Sequence, residues 1–165
     1  MSYLKDNFIK DGKSKSLSFF LKKNKKALIN SRLIEDIKKI EFKKKINLRV
    51  CLHTKPSRKF HNMIIFHWRN TYCPPHKHLK KEETCHMIEG SQRIFTFNNE
   101  GKILENVFMN TKKNIVFRID KNIFHSSRII SKYVIFHESK PGPYLGKWDS
   151  VYPKWQQSKK FIKFK

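Results

Sequence analysis

The chain has 165 residues, enough for one domain with an ordinary core, and a formal net charge of +24. No run approaches the roughly 20 apolar residues that a membrane-spanning helix needs, which excludes one. Three cysteines (Cys51, Cys73 and Cys85) without a C-x-x-C pair argue against a disulfide framework and for a reducing compartment. The start, Met1 to Lys15, is polar and carries both charges, unlike a secretory signal, so a cytoplasmic location is expected.

The positive charge has two readings. One is a polyanionic partner; the other is basic residues spread over a solvated surface. Lys far outnumbers Arg, and the few Arg (32, 49, 58, 69, 93, 118 and 128) are dispersed. That pattern favours the solvated surface and no specific nucleic acid, because Arg dominates base reading.

The segment 1–45 is Lys-rich. Within it Leu33, Ile34, Ile37 and Ile40 recur at helical spacing, which predicts a short helix over 31–41 with Ser31 as N-cap and Glu35 and Asp36 in the first turn. From residue 46 the texture turns to β. Runs rich in Ile, Val, Phe and Thr at 47–53, 62–69, 84–89, 92–98, 103–109, 114–119 and 132–138 are separated by turn signals, the clearest being Asn98 to Gly101. Seven short strands without interleaved helices predict an all-β sandwich or barrel over 46–145. After Pro141-Gly142-Pro143 a basic tail, 146–165, carries Trp148, Tyr152, Trp155, Phe161 and Phe164, expected to pack partly over the barrel and to fray at its end.

The chemistry concentrates in Pro74-Pro75-His76-Lys77-His78, followed by a turn at Lys80-Lys81 and by Glu83. Residues two apart on a strand face the same way, so both imidazoles converge. Glu83, at the start of the next strand, brings an oxygen beside them, and Glu82 is its rival. Two imidazoles and a carboxylate suit a divalent transition metal with open positions for water or substrate.

H-x-H, four residues, a carboxylate, six residues and Gly resembles the first motif of the cupin superfamily, here His76, His78, Glu83 and Gly90. The resemblance implies a jelly-roll barrel and a further His from a later strand, which His125 matches, although Asp120-Lys121-Asn122 replace the Pro and Gly of the second motif. More closely, residues 47–145 resemble the WbuC family of cupin-fold metalloproteins of bacterial O-antigen clusters. The likeness rests on Arg49-Val50-Cys51-Leu52-His53, Tyr72 through the Pro-His-x-His motif, Phe95 to Gly101, Phe124-His125, Phe136-His137-Glu138 and Gly142-Pro143-Tyr144. It implies a bound metal and no settled reaction.

Around that centre, Cys85 shares a strand face with Glu83 and is either a lining residue or a small buried hydrophobe. Arg49 and His53 lie four apart on one face, at the barrel mouth or on the surface near a strand end. Arg49 would bind an anionic group. Glu138 and His53 are the acid–base candidates, with Glu138 also a partner for a ligand His. The expected ligand is a small sugar-derived molecule and the expected cofactor Zn, Fe, Mn or Ni. Isomerisation, epimerisation or oxygenation is open to such a site, as is binding without chemistry, and a homodimer through an edge strand is a further expectation.

Overall fold

The architecture is taken from a computed structural model of the chain, in which residues 2–14, 16–44 and 46–157 are described. Phe161 and Phe164, expected at the end of the tail, lie outside the described residues. The chain begins with α1 (Tyr3–Asn7), capped by the Ser2 hydroxyl, which accepts the Lys5 N–H. Two short strands follow, β1 (Phe8–Lys10) and β2 (Leu17–Leu21), then α2 (Ser31–Lys44).

The start of α2 corrects the sequence expectation. Asn30 is the cap, its Oδ1 accepting the Leu33 N–H at 3.0 Å. The helix frame is therefore set one residue earlier, and its first turn holds no acid. Asp36 serves α1 instead, accepting from the Ser2 hydroxyl and the Leu4 N–H. Leu33 and Ile37 are fully buried against Leu48, Val50, Ile64, Phe66 and Ile135. The apolar stripe of α2 is thus consumed by the sheet.

The remaining strands are β3 (Leu48–Cys51), β4 (Phe60–Trp68), β5 (Glu83–Phe97), β6 (Ile103–Asn110), β7 (Val116–Ile119) and β8 (Phe124–Pro141). They form a sheet ordered β1-β2-β3-β4-β8-β5-β6, with β7 on β5. All pairs are antiparallel except β2 with β3. The two runs expected at 84–89 and 92–98 are one strand that bends. Gly90, at φ +83°, makes the bend, and a Cβ there would stand 2.3 Å from the Tyr133 carbonyl oxygen, so no larger residue fits. β5 carries β7 beside its first half, β6 beside its second, and β8 along its other edge.

Alternation divides the strands between two cores. Ile64, Phe66 and Ile135 face α2, whereas Cys51, Met63, Ile65, Cys85, Met87, Met109, Ile119 and Phe136 fill the barrel interior. The same alternation carries Glu83, Glu138 and Lys140 to the interior face at one end, since Cys85 and Met63 both register with Glu138. No helix among the described residues is long and apolar enough to cross a membrane.

Candidate metal centre

Three histidines meet at that end. Pro74 and Pro75 offer no N–H, and the chain continues extended through His76, which exchanges two backbone hydrogen bonds with His125 at the start of β8 (3.0 and 2.8 Å). On its other side Lys77 pairs with Val151 of the tail, both bonds at 2.9 Å. The stretch 76–78 is therefore held between β8 and the tail, with His76 and His78 on one face. The ring centroids lie 4.4 Å apart for His76 and His125, 5.3 Å for His76 and His78, and 5.8 Å for His78 and His125. One nitrogen from each falls within 4.8 Å of the others.

The outward-facing nitrogens decide what the inward ones are. His76 Nδ1 lies 2.9 Å from the Pro74 carbonyl oxygen, His125 Nδ1 3.0 Å from that of Ile123, and His78 Nδ1 2.5 Å from that of Asp149. A carbonyl only accepts, so each Nδ1 carries its proton and donates. In the neutral ring each Nε2 then presents a lone pair inward. Glu83 adds two more acceptors, Oε1 at 3.0 Å from His125 Nε2 and Oε2 at 3.3 Å from His78 Nε2. His125 Nε2 is buried without an aligned hydrogen bond. Acceptors packed against acceptors in a buried place require a cation or extra protons between them. The three imidazoles fit a divalent metal, with backbone carbonyls orienting each ring and Glu83 beside two of them.

Electrostatics follow the same lines. Burial, with His125 alongside, lowers His76 to about 4. Burial opposes charge on His125 too, but Glu83 beside it outweighs that and raises it. Burial would raise the Glu83 carboxyl; His125, His78 and Lys140 overcome it and hold it well below the usual carboxylate range.

Glu82 points elsewhere, 3.9 Å from Arg118 on the surface. Glu138 lies on the interior face, its Oε1 3.0 Å from Lys140 Nζ. Cys85 is buried, its sulfur accepting from Gln92 Nε2, and burial with Glu138 nearby pushes the thiol well up, so it is a neutral group. Arg49 is exposed on the face shared with Cys51. His53 is engaged with His61, the two rings stacked at 4.1 Å, and burial together with His61 lowers it to about 4.

Two functional features escaped the sequence reading. Lys140 reaches the centre, with Nζ 3.4 Å from His78 Nε2 and 3.6 Å from Glu83 Oε2. Continuing the alternation Phe136, Glu138 by two residues would have found it. Asp149, whose carbonyl orients His78, is fastened by its carboxylate to the buried ammonium of Lys81, which sequence placed in an ordinary turn. No local pattern links residues so far apart. A surface cavity of about 610 Å³, lined by Leu17, Ile46, Trp68 and Tyr72 among others, shares no residue with the centre.

Among solved structures, the capsular polysaccharide assembling protein CapF from Staphylococcus aureus is similar at 12% identity and a TM-score of 0.55, over 64% of this chain and 29% of its own. A structural-genomics target from Shewanella oneidensis is similar at 11% identity and a TM-score of 0.51, over 62% of this chain and 66% of its own. The fold is that of the cupins. The coconut allergen cocosin is similar at 13% identity with a TM-score of 0.45, and the chain spans 22% of its length. A family model described as a domain of unknown function (DUF6016) matches residues 43–109. Comparison with curated proteins gives no match.

Proposed function

We propose that this cupin is a metal-dependent protein of WbuC type that binds, and acts on, a sugar-derived small molecule in surface polysaccharide synthesis. The observation that carries the reading is the convergence of three histidines, each donating Nδ1–H to a carbonyl, with the Glu83 carboxylate against two of them. His76, His78, Glu83 and His125 would hold the ion. When bound it would supply a Lewis acid, polarising a carbonyl or hydroxyl of the ligand. Glu138 lies on the same interior face to take or return a proton.

The polysaccharide context rests on the WbuC resemblance of residues 47–145 and agrees with the fold shared with a capsular polysaccharide assembling protein. Exposed aromatic rings of the tail support a sugar ligand. Tyr152 stands 6.1 Å from His76, and Trp148 is largely exposed nearby in the chain. Binding without chemistry is favoured by one feature: the Glu138 carboxylate is already paired with Lys140.

The test is metal analysis of the purified protein beside His76→Ala, then a binding screen with nucleotide sugars. The reading expects metal in the first and little in the second, with a sugar nucleotide bound only by the loaded protein. Equal metal in both would overturn the site, and metal without any sugar ligand would overturn the substrate class.

A further inference from the structure

Lys140 is the one strongly basic side chain among the described residues that reaches the histidine cluster, and the proposed metal reading gives it no task. Its ammonium lies 3.0 Å from Glu138 Oε1, 3.6 Å from Glu83 Oε2 and 3.4 Å from His78 Nε2. Its side chain is 15% exposed, so solvent screens it little. The ammonium only donates, so its N–H groups face acceptors, the two carboxylates and the His78 Nε2 lone pair.

Suppose a divalent ion occupies the centre, as the reading above requires. An ion at about 2.1 Å from His78 Nε2 would stand within about 5.5 Å of Lys140 Nζ. Two cations would then face each other among largely buried groups. The carboxylates touching them are Glu83 and Glu138, so a divalent ion, one ammonium and two carboxylates leave one surplus positive charge. Asp149 does not contribute, since Lys81 neutralises it. Arg49 is exposed and is screened by solvent. With Glu83 drawn to the metal, Lys140 also gains an unused N–H beside it.

We infer that the centre takes a ligand carboxylate, one oxygen on the metal and the other on the Lys140 ammonium. A carboxylate matches the surplus in charge, whereas a phosphate dianion overshoots it. Its two oxygens bridge a gap of this size, which a neutral hydroxyl does not. The proposed sugar-derived ligand would accordingly be an acid, a sugar acid or hydroxy acid. Lys140 is a specificity residue in this scheme, and the Glu138 carboxylate competes with the ligand for its ammonium. The inference rests on the metal reading.

The experiment uses the full chain loaded with Co(II), whose visible bands report both metal binding and any ligand entering its shell. The probes are L-lactate, propane-1,2-diol, which lacks only the carboxylate, and inorganic phosphate. Lactate is expected to shift the bands and the diol to leave them unchanged. Lys140→Gln should weaken lactate binding about tenfold or more while leaving Co(II) binding equal or tighter, since a repelling charge is gone. Glu138→Gln should do the opposite and strengthen lactate binding, so the inference stays testable if Lys140→Gln fails to fold. Lactate affinity that is unchanged in both variants, or diol binding equal to lactate, would overturn the inference while the metal reading stands. Phosphate bound in a Lys140-dependent way without lactate would overturn the carboxylate assignment. Failure of the wild type to bind Co(II) would overturn both.

Discussion

At the scale of the residue, the centre depends on where protons sit. His76, His78 and His125 each donate Nδ1–H to a carbonyl oxygen, and this arrangement leaves three Nε2 lone pairs turned toward one another, two of them beside Glu83. His78→Ala and His125→Ala should each lower metal affinity by more than about 100-fold, read by titration with a chromophoric chelator. Cys85→Ser should leave affinity unchanged, because its thiol is neutral and hydrogen-bonded to Gln92. The outer residues matter for a different reason. Lys81 and Asp149 are both buried and face each other, so Asp149→Ala strands an ammonium in the interior. Denaturant titration should show a loss of roughly 3 kcal/mol. Metal affinity should fall with it, since the Asp149 carbonyl no longer stays against His78.

At the scale of the element, β5 and β8 set the geometry. Both are long, and the Gly90 bend lets β5 serve β7 and β6 in turn. Gly90→Ala places a methyl against the Tyr133 carbonyl at a positive φ and should cost about 2–3 kcal/mol, visible as a lower melting temperature. Most of the strand pattern was legible in the sequence, because alternation and turn residues are local signals. His76 and His78 were legible for the same reason: a spacing of two on an extended segment suffices. His125 was legible despite an eroded motif, and Asn122 in the turn before it adopts the left-handed conformation, φ 64°, which asparagine tolerates. β1 and β2 were not legible. Their apolar runs are only a few residues long and lie between Lys-rich stretches, and pairing with β3, not propensity, makes them strands. Asn30 displaced Ser31 as cap because either side chain can accept there and the burial of Leu33 and Ile37 chose the frame. Lys140 was hidden by ending the last strand three residues short, and Asp149 by a contact 71 residues long.

At the scale of the whole molecule, burial governs the response to pH. His53, His67 and His76 are lowered to about 4, each mainly by burial, against an unfolded value near 6.5. Between those values the unfolded chain binds protons that these rings refuse in the fold. Stability of the metal-free protein should therefore fall as pH drops from about 6.5 toward 4, measured by denaturant midpoints in a chelator. His125, raised by Glu83, acts oppositely, its contribution being lost as pH rises through its folded value. Metal must displace that proton, so metal affinity should rise with pH until His125 is neutral. The excess of Lys belongs to the same scale: a net charge of +24 is self-repelling, and it is carried mostly outside the centre. The most direct measurement of the central claim is X-ray absorption of the metal-loaded protein. The account predicts a first shell of three imidazole nitrogens with oxygen completing it and no sulfur. A shell without imidazole, or one containing Cys85 sulfur, would contradict it.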